Sequence, residues 1–575
     1  MLYNDWVYAA VGGISDISRE EMITMSASSK KKLRKELEAA AMTEKQLLEQ
    51  KESKKLRLYT GLFAAAIAVM IVVVIASRIV SSGFIPRSTT ALTVGGTKIS
   101  AAELNHYYID SVNSFMNQAG EYISLYGLDT TKPLDEQFYS EADKLTWSDH
   151  FLNQATTSAQ NMYAVYNAAQ AEGFKLSEDG KASVEAAVQN MAMYATLGGY
   201  PSADGYISAV YGEGCNEDTF RHYAEVQMIA QEYAVAKNEA LTYDEAALKA
   251  EDDKNPAAYS AFTYNYYYLS ANKFYEGGTK NEDGTTTYSD EEMEAGRAKA
   301  EAAANTLAAA TTIEELDAAV AALEINAEAT TPAKSTRMAN TQYANVTAAI
   351  REWVTSADRK AGDIKVIASE YTSHDHADGE ECTGENDSKS VSGYYVVLFE
   401  GSDKNLTNLV NVRHILVGFE GGTYDETTGA TTYSDEEKAK AKKTAEEILA
   451  AYANGENTED AFAALATEKT TDTGSKENGG LYENVYPGQM VTNFNDWCFD
   501  SARKTGDTGL VETEYGYHVM YFVGTSETTY RDLMIENTLR SADMSAWETG
   551  LIDAAELSVE NTKYIKTDLV LGGNK

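Results

Sequence analysis

The sequence predicts a multidomain α+β protein with one transmembrane helix. Three observations predict it: an uncharged apolar run at Leu58–Ala76, two tandem segments that repeat each other 144–145 residues apart, and a β-α-α-α-β pattern within each repeat. A chain of 575 residues has room for three or four units at a soft prior of ~150 residues each.

The apolar run, LYTGLFAAAIAVMIVVVIA, is 19 residues without a charge. About 20 residues of helix cross a bilayer. Ser77–Val80 extend it, with Arg78 placed to reach the interface. A signal-peptide apolar core is the competing reading, but it is normally shorter, about 7–15 residues. No cysteine follows the run, so lipoprotein processing is not indicated. Residues 28–57 hold ten Lys and Arg, against two in the downstream flank SRIVSSGFIPRSTT. The positive-inside rule therefore predicts a single-pass cell-membrane protein. Residues 1–57 would form a charged cytoplasmic segment, 58–80 the anchor, and the bulk would be extracytoplasmic. Whether the anchor is later cleaved stays open.

Residues 1–57 carry 11 Lys/Arg and 9 Asp/Glu, or +2, so with a net charge of −40 the rest of the chain carries −42. An acidic body argues against nucleic acid, whose phosphates it would repel. It fits neutral or basic clients, beside the plainer reading of a solvating surface. Three cysteines make no disulfide framework. Cys498, beside Trp497, is expected to be buried; a Cys215–Cys382 bridge is left open. His374, Asp375, His376, Asp378, Glu380, Glu381 and Cys382 crowd one loop without a metal-ligand spacing. A flexible acidic loop, with no metal and no cofactor, is the expectation.

The repeat is read directly. FYEGGTKNEDGTTTYSDEEMEAGR (274–297) matches FEGGTYDETTGATTYSDEEKAKAK (419–442). REWVTSADRKAGD (351–363) matches NDWCFDSARKTGD (495–507), and GYYVVLF (393–399) matches GYHVMYF (516–522). In the second copy a strand, VNVRHILVGF, precedes a Gly/Thr-rich excursion. The SDEE at 434–437 then forms a capping box, in which the Ser hydroxyl and Glu carboxylate satisfy free backbone N–H groups. Two helices, a Gly-rich loop and an aromatic helix near Phe494–Asp500 follow, and an alternating strand, GYHVMYFV, closes the copy.

His414 and His518 fall in two strands whose pairing would set two imidazoles side by side. A lone His in a strand is ordinarily a satisfied core residue. Here both lie in VRHILV, FAALA, TDTGSKENGG, GQMVTNF and YGYHV, which in this order resemble the parvulin family of prolyl isomerases over 408–523. The resemblance implies a four-stranded sheet with helices around it. It matches His414 and His518 to the family's paired histidines and Asp472 to a position holding Asp or Cys. Met490 and Phe494 match the apolar pair that holds the proline ring, with Leu481 and Phe499 nearby; Thr513 and Tyr515 match polar positions before the second His. It implies peptidyl-prolyl isomerisation without covalent chemistry, metal or cofactor. The excursion after the first strand carries carboxylates and no Lys or Arg before the capping box, so phosphorylated substrates are not expected.

In the first copy every site position is altered. Tyrosines surround Tyr267, Tyr395 replaces His518, NAEATT stands opposite Asp472, and Val346 and Ile350 replace Met490 and Phe494. A degenerate, catalytically silent copy is expected over 255–402 and the isomerase over 403–526. The flanks, 85–250 and 527–575, read as largely helical. This layout, with VGGTKISAAEL at its start, resembles the PrsA and SurA foldases. It implies a chaperone module to which the C-terminal helix returns. The expected partners are unfolded or newly secreted proline-containing chains, and a homodimer is left open. The alternative is a holdase in which isomerisation is incidental.

Overall fold

The computed structural model describes residues 24–40, 44–326, 331–374 and 387–572. They divide into two compact units: residues 1–236 with 548–575, and residues 237–547.

In the first unit, helix Glu44–Ser81 carries the apolar run, and its 51–75 stretch is long and apolar enough to cross a membrane. Its apolar side chains lie in the open, Phe63 at 68% exposure. That distinguishes the stretch from the core helix of a soluble domain. Further on, strands Thr90–Val94 and Thr97–Ser100 form a hairpin turned by Gly95 and Gly96, both at positive φ as a tight hairpin turn requires. Ser100 caps helix Ala101–Ala119, accepting from the Glu103 N–H at 3.1 Å, where the sequence placed the cap. Strand Leu557–Val559 adds to the hairpin edge, with Leu92 opposite Val559. Helix Trp147–Ala171 closes the core, which buries Leu92, Ile99, Leu104, Tyr108, Trp147, Phe151 and Tyr163. Cys215 is a buried thiol against the Ala102 carbonyl, pushed by burial up to about 12. Its candidate partner Cys382 lies outside the described residues, as does nearly all of the His374–Cys382 cluster.

The second unit holds two four-stranded antiparallel sheets of one topology. The first runs Thr336–Gln342, Ala261–Ser270, Asp387–Asp403, Ile364–His374; the second runs Leu481–Val485, Asn408–Gly418, Gly516–Thr529, Thr508–Thr513. In each, chain order across the sheet is second, first, fourth, third. Alternation along the central strands splits the core in two. In the later sheet Ile415, Val519 and Tyr521 pack under helices Asp435–Ala453 and Glu459–Lys469. Val410, Val412, Met520 and Phe522 face helix Thr492–Cys498 on the other side, where Cys498 is buried as expected. The sequence pattern did not show Leu481–Val485 or Thr508–Thr513. Both are short edge strands, and an edge strand need not carry a continuous apolar alternation.

The near-identical excursions have a structural reason. In each copy they form a small hairpin tied to the capping box. Glu437 accepts from Ser434 N–H at 2.7 Å and Gly422 N–H at 2.8 Å; Glu292 accepts from Ser289 and Gly278 in the same way. Gly422 has φ +84°, and a Cβ there would meet the Tyr433 ring at 2.8 Å. Within this unit, Arg531 at the start of helix Tyr530–Ala554 donates to the carbonyls of Pro256, Tyr259 and Lys404 and pairs with Asp252. It thereby ties the segment before the first sheet to the segment before the second.

Candidate active site

In the later sheet, Leu416 pairs with His518 and His414 with Met520, so the two histidines are diagonal neighbours on one face. Their rings stack at 5.2 Å and 26°, with Nδ1 to Nδ1 at 3.0 Å. Both are buried, His414 at 2% and His518 at 6% exposure. The TDTGS loop brings Asp472 Oδ2 to 3.0 Å from His414 Nε2. At the other end, Thr513 Oγ1 lies 2.9 Å from His518 Nε2 and accepts from the Tyr515 N–H at 3.2 Å.

This line has one direction. Burial works to raise the Asp472 carboxyl, but hydrogen bonds from Ser475, Tyr482 and the Gly474 N–H, with His414 beside it, outweigh burial and hold it at about 2. It is therefore ionised and only accepts. His414 Nε2–H donates to it, which leaves His414 Nδ1 a lone pair. His518 Nδ1–H donates to that lone pair, and the Thr513 hydroxyl donates to His518 Nε2. Both imidazoles are neutral. Burial lowers His414 against the pull of Asp472, and burial, then the neighbouring His414, lowers His518 to about 3.

Phe494 sits edge-on to both rings, at 5.6 Å from His414 and 5.2 Å from His518. Met490 is half-buried in the same apolar cluster, and Phe499 joins it at the C-terminal cap of the Phe494 helix. The fold therefore brings His414, His518, Asp472, Thr513, Met490 and Phe494 together. Tyr515 contributes its backbone N–H, while its side chain is 60% exposed. Leu481 is not among them. It pairs with Arg413, on the sheet face opposite His414, and the next residue, Tyr482, takes the place beside the site by pairing with Val412. Tyr482 stacks on His414 at 4.7 Å and 20°, and its hydroxyl donates to Asp472 Oδ2 at 2.9 Å. Ser475, fully buried, also donates to that oxygen and lies 3.1 Å from His414 Nε2. Sequence reasoning missed both. Recognising Leu481–Val485 as a strand would have put Leu481 and Tyr482 on opposite faces.

Residues 396–524 match the family described as the PPIC-type PPIASE domain. This segment is a parvulin-type peptidyl-prolyl isomerase domain. The chain is 32% identical over 127 residues to Foldase protein PrsA 1 of Listeria innocua, covering 21% of this chain and 42% of that one. It is 33% identical over 142 residues to Chaperone SurA of Chromohalobacter salexigens, covering 23% and 28%. The chain thus spans less than half the length of these curated relatives. Among solved structures, PrsA from Bacillus subtilis aligns over 28% of this chain and 55% of its own at 24% identity, with a TM-score of 0.19, too low to bear on the whole architecture.

The first sheet lacks the parvulin constellation. Its register pairs Tyr395 with Tyr268 and Val397 with Tyr266, so Tyr266 holds the position equivalent to His414. Val346 and Ile350 are buried with Tyr264 on that face.

Proposed function

We propose that the chain is a peptidyl-prolyl cis-trans isomerase and foldase for secreted proteins at the outer face of the cytoplasmic membrane. The observation that carries it is the buried His414–His518 pair, 3.0 Å apart, held by Asp472 and faced by Phe494. An X-Pro bond resists rotation by about 18–20 kcal/mol because its amide is conjugated, and uncatalysed turnover takes roughly tens to hundreds of seconds. No bond need break. Met490 and Phe494 seat the ring out of water, where the planar, charge-separated amide loses solvation. The neutral imidazoles present fixed dipoles beside the carbonyl that suit the twisted form better than the planar one. Leu481 has no part in this seat.

In this reading 1–57 is cytoplasmic, 58–80 is the anchor, 85–250 and 527–575 form a chaperone module, and 255–402 is a silent copy beside the isomerase at 403–526. The ten basic residues before the apolar helix support that orientation. A holdase role is favoured by one observation: Tyr122, Leu125, Tyr126, Phe138 and Tyr139 stand exposed in the first unit, as a surface for unfolded clients would.

The test is a protease-coupled isomerase assay of the full chain in detergent with a short proline peptide. His518→Ala, which removes a fixed dipole, or Met490→Ala, which strips the apolar seat, is expected to lower kcat/KM by about 100-fold. Wild-type rates in both variants would overturn the assignment. Normal client maturation by an inactive His518→Ala variant would make holding the principal role.

A further inference from the structure

We infer that Tyr482 is a positioning residue for the isomerase, acting through Asp472 and His414 to fix the direction of the hydrogen-bond line rather than by touching substrate. The inference rests on the isomerase reading above and adds a part to it. One oxygen of Asp472, Oδ2, lies within reach of three groups: His414 Nε2, the Ser475 hydroxyl and the Tyr482 hydroxyl. The other oxygen takes the Gly474 N–H at 3.1 Å. A carboxylate so gripped cannot turn away from His414.

Tyr482 holds the imidazole from a second side as well, because its ring lies nearly parallel to that of His414. Its hydroxyl and its face thus act on the two partners of a single bond, Asp472 to His414. If the bond loosens, His414 Nε2 is no longer bound to be the protonated nitrogen. His518 then has no fixed acceptor for its Nδ1–H, and the dipoles presented at Thr513 lose their single orientation. A tyrosine chosen only for bulk needs neither the hydroxyl contact nor the parallel stack. The titratable groups that bear on Asp472 are His414 and Tyr482 in contact with it and, through charge alone, His518 beyond His414. Burial, then the bond to Asp472, pushes the Tyr482 phenol up to about 12, so it remains a donor through the neutral range.

The experiment uses the full chain with Tyr482→Phe, which keeps the ring and removes the hydroxyl, and Ser475→Ala, which removes the other hydroxyl on the same oxygen. The hydrogen bond at stake is to a charged group, so kcat should fall about tenfold while KM, set at Met490 and Phe494, stays unchanged. The acid limb of the pH–rate profile, where the imidazoles charge, should move to higher pH, because Asp472 relieved of one donor pulls harder on His414 and favours its charged form. Nitrogen-15 NMR of the histidine rings should show one Nε2–H tautomer for His414 in the wild type and a mixture in Tyr482→Phe. A merely structural tyrosine would lower the melting temperature without moving the acid limb or the tautomer. Wild-type kcat, acid limb and tautomer in a folded Tyr482→Phe protein would overturn the inference. An inactive wild type would instead defeat the isomerase reading, and the NMR arm would still decide the role of Tyr482.

Discussion

At the scale of single residues, the site stores its chemistry in what is kept uncharged. His414 and His518 lie below the ordinary imidazole range in the folded chain, His518 at about 3, while the unfolded chain takes up protons near 6.5. Between those values the unfolded state binds more protons. The stability these groups contribute is full above pH 6.5 and is lost as pH falls toward 3. Asp472 acts in the same direction, losing its contribution between 3.8 and about 2. The melting temperature of the wild type should therefore decline steadily from pH 6.5 downward. A His414→Gln/His518→Gln double variant should decline less steeply, as differential scanning calorimetry across pH would read. Isomerase rates should be flat through neutral pH and fall only where the imidazoles charge. The pair, Asp472 and Phe494 were legible because each sits in a motif that resembles the parvulin family's. Tyr482 and Ser475 were not, because the resemblance marked neither, and a short edge strand offered no alternation to show that Tyr482 rather than Leu481 faces the site.

At the scale of elements, the glycine loop before the edge strand fixes where Asp472 can stand. Gly480 has φ +73°, and a Cβ on it would fall 2.2 Å from the His414 carbonyl oxygen. Gly480→Ala pays for both the left-handed backbone and the clash, and should cost roughly 3 kcal/mol of stability by urea titration, with loss of activity. The capping box is a milder case. Ser434→Ala removes the acceptor for the Glu437 N–H and a donor to its carboxylate, and should cost about 1 kcal/mol while leaving kcat unchanged. The helices were legible from such caps and from their apolar spacing, as at Ser100 and Ser434. The closing strand was legible from alternation, and the repeat located its partner sheet. The register of the first copy was not legible. Three consecutive tyrosines, 266–268, give no clue to which faces the site, and only the pairing of Val397 with Tyr266 decides it.

At the scale of the whole molecule, the second unit depends on Arg531, which is 8% exposed and bound to groups from both halves of that unit. Arg531→Ala strands Asp252 and three carbonyls. It should cost about 2–3 kcal/mol, allowing for the partial exposure of Asp252. Calorimetry should then resolve two transitions in the second unit where one is expected of the wild type, and a single unshifted transition would count against the tie. The pairing of Leu92 with Val559 has a different reach, since more than four hundred residues of chain separate the partners. A ladder closed over so long a loop forms late, because its ends meet only after everything between has been made. During synthesis the Thr90–Val94 edge therefore stays bare until Leu557–Val559, more than four hundred residues further along the chain, has been made, and in that interval the first unit is itself an unfinished fold with an open ladder.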